Sequence, residues 1–334
     1  MALPLCPESE FMSPGSVWIG VDIGGTKTAV VLSQTPPAVL ERIEFPTLPA
    51  QGPERAIAVI LQSIHQLIRN AGGDRSCLAG IGVSCGGPLD AARGIVQAPP
   101  NLPTWVDVPI TDILSREFGV GCRLENDANA GAIAEHRFGA GRGTAHMVFL
   151  TMGTGLGAGI ICAGKLLAGA SGQAGEIGHV RLTPDGPVGY HKAGSVEGWA
   201  SGAGMARVAE REVQAAIESG EKSPLCALLQ QRGALTAKDV AEAAYAGDEL
   251  SRRMIRDTGT RLGEALAILV DILNPERIVV GGLGPRLGER LLGPARAKMC
   301  AEALSASAAV CEIVPAVLGE SIGDVAALCV AMGL

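Results

Sequence analysis

Val21-Asp22-Ile23-Gly24-Gly25-Thr26-Lys27-Thr28, set behind the apolar start Val17-Trp18-Ile19-Gly20, decides how this chain is read. The pattern predicts a buried strand over 17–23 running into a turn that carries an acid, two glycines, a hydroxyl and a lysine. Glycine lets backbone amides approach an anion closely, and successive N–H groups in such a turn form a concave anion site. Thr26 adds a donor, Lys27 adds positive charge, and Asp22 is placed to hold a magnesium ion through water. A plain β-hairpin is the other reading, because Gly-Gly between apolar runs is a hairpin signal.

A second turn of the same kind favours the phosphate reading. In Val148-Phe149-Leu150-Thr151-Met152-Gly153-Thr154-Gly155-Leu156-Gly157-Ala158-Gly159-Ile160-Ile161 an apolar strand again feeds a Gly/Thr loop and then another apolar strand. Two such hairpins far apart in one chain resemble the pattern of the actin-like ATPase and sugar-kinase superfamily. There, two similar domains each offer one loop to a nucleotide in the cleft between them. Gly159 to Lys165 also has P-loop spacing, but Leu166 follows where a Ser or Thr is needed for magnesium. That run lies inside a hairpin rather than before a helix, so it is set aside.

A length of 334 residues predicts two domains of ordinary size, and 47% hydrophobic content is ample for packed cores. The net charge of −7, without a basic stripe, argues against a nucleic-acid face. The nine cysteines, at 6, 77, 85, 122, 162, 226, 300, 311 and 329, form no C-x-x-C pair and read as reduced thiols of a cytoplasmic protein. Met1–Ser16 lacks a basic n-region and does not read as a signal peptide. Six glycines and Lys165 interrupt the longest apolar region, 147–170, so it reads as strands and no membrane span is expected.

Residues 1–16 read as a disordered lead, rich in Pro and Ser. Strands are expected at 17–23, 28–33, around 40–46, at 78–84 and at 122–125, and helices at 56–71 and 109–118. Pro99–Trp105 reads as a proline-rich loop. Asn126-Asp127-Ala128-Asn129 opens a helix over 128–138, and the glycine hairpin covers 147–165. Residues 166–202 show few periodic signals and are expected to form one long loop, which at that length is usually functional. Helices follow at 203–219, 235–246 and 250–273, then a strand at 277–280, the turn Gly281-Gly282-Leu283-Gly284 and a last helix at 322–333. Alternating strands and helices give an α/β class with mixed sheets.

Asn126-Asp127 falls where a strand ends and a helix begins, the place where open α/β sheets put ligands. Asp127 is therefore the candidate base, although Asn and Asp are also favoured helix N-caps. Phosphoryl transfer needs a residue that orients the attacking hydroxyl and takes its proton, and a carboxylate suits that role. Sugar recognition needs carboxylates, amides and an imidazole converging on hydroxyls. Gly175-Glu176-Ile177-Gly178-His179 and Ser195-Val196-Glu197 supply such groups, while a surface or core role for His179 stands beside the ligand role.

With Asp-Ile-Gly-Gly-Thr-Lys, Glu-Asn-Asp-Ala-Asn, Thr-Met-Gly-Thr-Gly-Leu-Gly, Gly-Glu-Ile-Gly-His and Val-Val-Gly-Gly in this order, the chain resembles the ROK family over about residues 17–330. That family comprises bacterial sugar kinases and related repressors. The resemblance implies a two-domain actin-like ATPase (ribonuclease H-like) fold with a nucleotide and sugar cleft between the domains. A small α/β domain is expected over 17–125, with the C-terminal helix, about 318–334, returning to it. A large α/β domain is expected over 126–317.

The implied activity is transfer of phosphate from ATP, with magnesium, to a hexose. Glucose is the leading substrate, and fructose, mannose, allose or N-acetylmannosamine are alternatives. Asp127 is then the base, and Asn126, Glu176, His179 and Glu197 bind the sugar, with Gly86, Gly87 and Asn101 lining its pocket. Asp22, Gly24, Gly25, Thr26 and Lys27, together with Thr151, Gly153, Thr154 and Gly155, cradle phosphates. Gly281 and Gly282 lie near the adenosine. A homodimer or homotetramer is implied as well.

One departure from the family pattern follows His179. Relatives typically place a structural zinc there with that histidine and three cysteines in a C-x-C-G-x-x-G-C-x-E pattern. Counted back from Glu197, those three positions hold Val188, Tyr190 and Ser195. Tetrahedral zinc wants four good N/S donors, and His179 with His191 leaves two missing, so no structural zinc is expected. Tyr190 and Trp199 are expected to order the loop by packing, with Lys192 making an ion pair. A reading of another class is a non-catalytic sugar sensor or ROK-type transcriptional regulator. Only residues 1–16 precede the first strand here, without helical pattern or basic clustering, whereas a DNA-binding helix-turn-helix needs several tens of residues.

Overall fold

The computed structural model describes residues 16–73 and 75–334. Apart from Ser16, the expected lead lies outside the described residues. The chain divides into two compact units: described residues up to Ala130 together with Ser321–Leu334, and Gly131–Glu320.

The first unit is built on strands β1 (Val17–Ile23), β2 (Lys27–Ser33), β3 (Glu41–Pro46), β4 (Leu78–Cys85) and β7 (Cys122–Asn126), with a short hairpin, β5 (Leu89–Asp90) and β6 (Ile95–Val96), between the last two. The five long strands form one sheet in the order β3-β2-β1-β4-β7. β1 and β2 pair as an antiparallel hairpin, whereas β1, β4 and β7 run parallel. Central parallel strands covered on both faces read as near-continuous apolar runs, and β1 and β4 are buried along most of their length.

Helix α1 (Pro53–Asn70) buries Ile57, Ile60, Ile64, Leu67 and Ile68, spaced at helical period, against that sheet. Helix α2 (Ile110–Phe118) ends at Gly119, which adopts φ 73°. The C-terminal helix, Ile322–Met332, lies across β1 and β4. That contact is backbone-close: a Cβ built on Gly82 would lie 2.1 Å from the Ala331 nitrogen. Only glycine fits there. The division between the units falls within α3 (Asp127–Phe138).

The second unit contains β8 (Met147–Met152), β9 (Leu156–Cys162), β10 (Lys165–Leu166), β11 (Val188–Gly189), β12 (Lys192–Ala193), β13 (Arg277–Val280) and β14 (Glu312–Pro315). Five of these form a sheet in the order β10-β9-β8-β13-β14, with β8, β13 and β14 parallel. Its helices are α4 (Val196–Ala200), α5 (Gly202–Ser219), α6 (Pro224–Arg232), α7 (Ala237–Tyr245), α8 (Glu249–Leu273), α9 (Leu283–Leu287), α10 (Glu289–Glu302) and α11 (Ser305–Ala308). α8 is the apolar axis of this unit and packs against α10, α4 and α7.

Local capping chemistry sets the helix limits. Ser201, Ser223, Thr236 and Asp248 each accept a backbone N–H at a helix start, and Asn274 closes α8 in the left-handed conformation. The sequence pattern overstates one loop. Residues 166–202 hold a 3-10 turn at Ile177–His179, the β11–β12 hairpin and α4 rather than one structureless stretch. Elements of two to five residues are too short to show a period. Gly159 to Lys165 lies in the β9–β10 hairpin and carries no phosphate loop.

Candidate active site

In the first unit, three parallel strands end in one row. Ile23 of β1 pairs with Cys85 of β4, and Cys85 pairs with Asn126 of β7. Gly24, Gly86 and Asp127 are therefore the next residues at the carboxyl edge of the sheet, where α/β proteins bind ligands. A Cβ built on Gly86 would lie 4.0 Å from Asp127 Oδ2, and one on Gly87 would lie 3.2 Å from Asn126 Nδ2. The predicted base and two predicted pocket glycines thus form one neighbourhood. Asn126 Oδ1 accepts the Ala128 amide at 2.9 Å, and Asp127 Oδ1 accepts the same amide at 2.8 Å. Both side chains take part in starting α3, so capping and a ligand role coexist.

Asp127 reaches solvent, yet desolvation of its carboxylate pushes its pKa up while the Ala128 amide opposes the shift. Asp22, at the end of β1, is pushed up to about 7. Burial is the main cause, the charges of Asp127 and Asp324 add to it, and a Ser84 hydrogen bond and Lys27 pull the other way. Asp324 is buried and is paired with Arg42 Nε at 2.8 Å.

The first glycine turn is closed by its own backbone. The Gly24 amide donates to the Lys27 carbonyl at 3.0 Å, and Thr47 Oγ1 donates to the Gly24 carbonyl at 2.7 Å. A Cβ on Gly25 would stand 2.5 Å from the Asn101 Cβ, so the proline-rich loop abuts the turn and places Asn101 beside it. Lys27 is exposed and its ammonium lies 3.0 Å from Glu44 Oε2. Thr26 is also exposed.

In the second unit the turn at Gly153–Gly155 is pinned by neighbours. The amides of Gly202 and Ala203, at the start of α5, donate to the carbonyls of Gly153 at 2.7 Å and Thr154 at 3.2 Å. Glu197 Oε2 accepts the Leu156 amide at 3.1 Å. Gly281 donates to the Leu150 carbonyl at 2.8 Å. Gly282 adopts φ 58°, and a Cβ there would stand 2.1 Å from the Met152 carbonyl oxygen. The Gly281–Gly282 turn and the 151–155 turn are thus joined backbone to backbone.

The segment bearing Glu176 and His179 is fixed to β9, since the Ala158 amide donates to the Gly175 carbonyl at 3.0 Å. Glu176 and His179 are both exposed, and a Cβ on Gly178 would lie 3.5 Å from the Glu197 Cβ. Loop order differs in detail from expectation. Lys192 donates to the His179 carbonyl at 2.7 Å and makes no ion pair among the described residues. Trp199 packs: its Nε1 donates to Thr183 Oγ1 at 2.8 Å and Arg261 lies over its ring. Tyr190, exposed at the β11–β12 tip, sets its ring against those of His179 and His191.

Sequence reasoning missed Ser84, Arg42, Glu44 and Asp324. Ser84 alternates correctly on β4 for a neighbour of Asp22, and that register was the available signal. Arg42 and Asp324 are 282 residues apart, and no local pattern joins them.

An α/β chain of two units, each with a glycine hairpin at the head of a mixed sheet, is a protein of the actin-like ATPase class. The ROK family model matches residues 18–332, and this chain belongs to the ROK family. It is 36% identical over 307 residues to the glucokinase of Thermotoga maritima, covering 91% of this chain and 94% of that protein. It is 34% identical over 308 residues to the glucokinase of Halalkalibacterium halodurans, covering 92% of each. Among solved structures, a ROK family glucokinase from Streptomyces griseus in complex with glucose and AMPPNP matches with a TM-score of 0.77 at 32% identity, covering 96% of this chain and 100% of that one.

Proposed function

We propose that this chain is an ATP-dependent sugar kinase that phosphorylates glucose to glucose 6-phosphate. Asp127 carries the reading. It is a carboxylate at the carboxyl ends of three parallel strands of a mixed sheet, beside Gly86 and Gly87, with its pKa raised by desolvation, in a chain similar to glucokinases. A carboxylate whose pKa is raised is a stronger base for the proton it receives.

Asp127 holds the attacking hydroxyl and receives its proton as the sugar oxygen bonds to the γ-phosphorus. The bond from that phosphorus to the β–γ bridging oxygen breaks, and ADP leaves. Catalysis of this kind is mostly positioning and charge stabilisation. Asn126, Glu176, His179 and Glu197 are the proposed sugar partners, with Gly86, Gly87 and Asn101 lining the pocket. The two glycine turns cradle phosphates and Gly281–Gly282 meets the adenosine.

Asp22 fits a magnesium ion, because a hard cation takes oxygen ligands and keeps waters. Magnesium, when bound, neutralises phosphate charge. Among the described residues no helix is long and apolar enough to cross a membrane. A cytoplasmic homodimer or homotetramer that binds no nucleic acid completes the reading, and light scattering tests its assembly.

A coupled ADP-release assay with magnesium-ATP and a panel of hexoses tests the function. Turnover highest on glucose supports it. Preferred turnover on fructose, mannose, allose or N-acetylmannosamine reassigns the substrate. Calorimetric sugar binding without any turnover points to a sensor.

A further inference from the structure

We infer that the β11–β12 hairpin is a metal-free clamp on His179, in which Lys192 and Tyr190 are positioning residues for the imidazole. The inference rests on the reading of His179 as a sugar partner.

The hairpin reaches His179 twice. Lys192 donates to its carbonyl at 2.7 Å, and the Tyr190 ring meets the imidazole edge-on at 6.1 Å between centroids and 72° between planes. A charge-assisted hydrogen bond is stronger than a neutral one, and an edge-to-face pair adds its own attraction. His179 itself ends a 3-10 turn and is exposed, so its core packing alone does not fix the ring.

The conformation of the tip points to a purpose. Tyr190 and His191 hold φ of 39° and 63°, a pair of left-handed residues in a two-residue turn that glycine or asparagine would fill at less cost. Backbone strain of this sort persists where the surroundings hold it and clusters at ligand clamps. Here the base of the hairpin is held firmly. Leu182 donates to the Gly194 carbonyl at 2.8 Å, Gly194 to the Pro187 carbonyl at 3.0 Å, and Arg181 to the Ala193 carbonyl at 2.9 Å.

The zinc expected in relatives does not fit these residues. Val188 offers no donor atom, and Ser195 Oγ already caps α4 by accepting the Gly198 amide at 3.1 Å. Thiolate or imidazole donors are what such a site requires. The stretch that would have held the metal instead carries the two side chains that touch His179.

The test uses the full-length protein and the imidazole proton resonances, with His179 assigned through His179→Gln. In Lys192→Met and Tyr190→Ala the His179 signal should shift or broaden, and glucose Kd should rise about tenfold for Lys192→Met with little change in the ATP KM. Lys192→Arg and Tyr190→Phe should behave as wild type. An unmoved His179 signal in both disruptive variants overturns the clamp. A moved signal with unchanged glucose affinity overturns the positioning role. If His179→Gln itself leaves glucose affinity intact, the sugar-site reading fails, while the resonance still judges the clamp. Wild-type protein supplies an independent check: one zinc per chain, or loss of glucose affinity after dialysis against a chelator, overturns the inference.

Discussion

The two glycine hairpins look alike in sequence and are built differently. Both turns close on themselves, Gly24 donating to the Lys27 carbonyl and Gly153 to the Gly155 carbonyl, but the turn at 24–27 is surrounded by charge: Asp22 and Lys27 lie in or beside it, and Glu44, Arg42 and Asp324 extend the set. The turn at 153–155 carries no charged residue, and its carbonyls are taken by the start of α5 while Glu197 holds the Leu156 amide. The first turn is ringed by charged groups; the second is shaped mainly by backbone hydrogen bonds. The same Gly/Thr vocabulary therefore serves two physical ends, and substitutions should separate them.

The largest effect is expected at the charged edge. Asp127→Ala should lower kcat by about a thousandfold, within the range for loss of a positioned base. Its thermal midpoint should move little, because Asn126 Oδ1 still accepts the Ala128 amide. Rate measurements beside a melting curve check both. A variant that melts early and keeps its rate would reverse the contrast between the units.

Gly282→Ala probes the other side. A Cβ has 2.1 Å to the Met152 oxygen where contact needs well over 3 Å, and φ is 58°. The turn must move, at a cost of about 3 kcal/mol in stability. The ATP KM should rise about tenfold in the same variant. Denaturant unfolding and steady-state kinetics test this. An unchanged midpoint and KM would show that the two backbone turns are not coupled.

Much of this arrangement was legible because it is local. Asp22 to Lys27 is one turn after one strand, Asn126-Asp127 is one strand end, and Thr151–Gly155 is one hairpin. The unreadable part comes from tertiary register. Ser84 meets Asp22 only because β1 and β4 pair in parallel, and Arg42 meets Asp324 only because the last helix lies near β1 and β2. Glu197 was read as a sugar partner from its neighbours, yet its bond to Leu156 follows from packing of α4 against β9. β14 has four residues, and its neighbour α10 contains Pro294, so neither gave a clean period.

Asp22 yields a pH prediction of intermediate size. Its folded pKa, about 7, lies above the ordinary carboxyl value of 3.8. Between those values the native state keeps a proton that the unfolded chain has released, so folding takes up protons and stability falls as pH rises through this window. Asp22→Asn removes the titration. Relative to wild type it should gain on the order of 2 kcal/mol more at pH 8 than at pH 5, read from urea unfolding without nucleotide or metal. An equal difference at both pH values would mean that Asp22 titrates as an ordinary carboxylate. A comparable pH dependence is not expected at the second turn, whose contacts there are mainly backbone hydrogen bonds.

Glu44→Gln asks for the smallest change and tests whether the charges around the first turn are a scaffold or a reserve. Glu44 is shared by Lys27 at 3.0 Å and Arg42 at 2.6 Å. Lys27 is well exposed, and an exposed ion pair contributes little because water screens it and side-chain entropy opposes it. Removing the Glu44 charge frees the Lys27 ammonium and makes the turn more attractive to phosphate. The ATP KM should therefore fall by less than about threefold, and the gain should fade as salt is raised. A tenfold rise instead would mean that Glu44 holds Lys27 in its working position. The charged turn would then be as rigidly built as the backbone turn, and the contrast between the two units would narrow to chemistry alone.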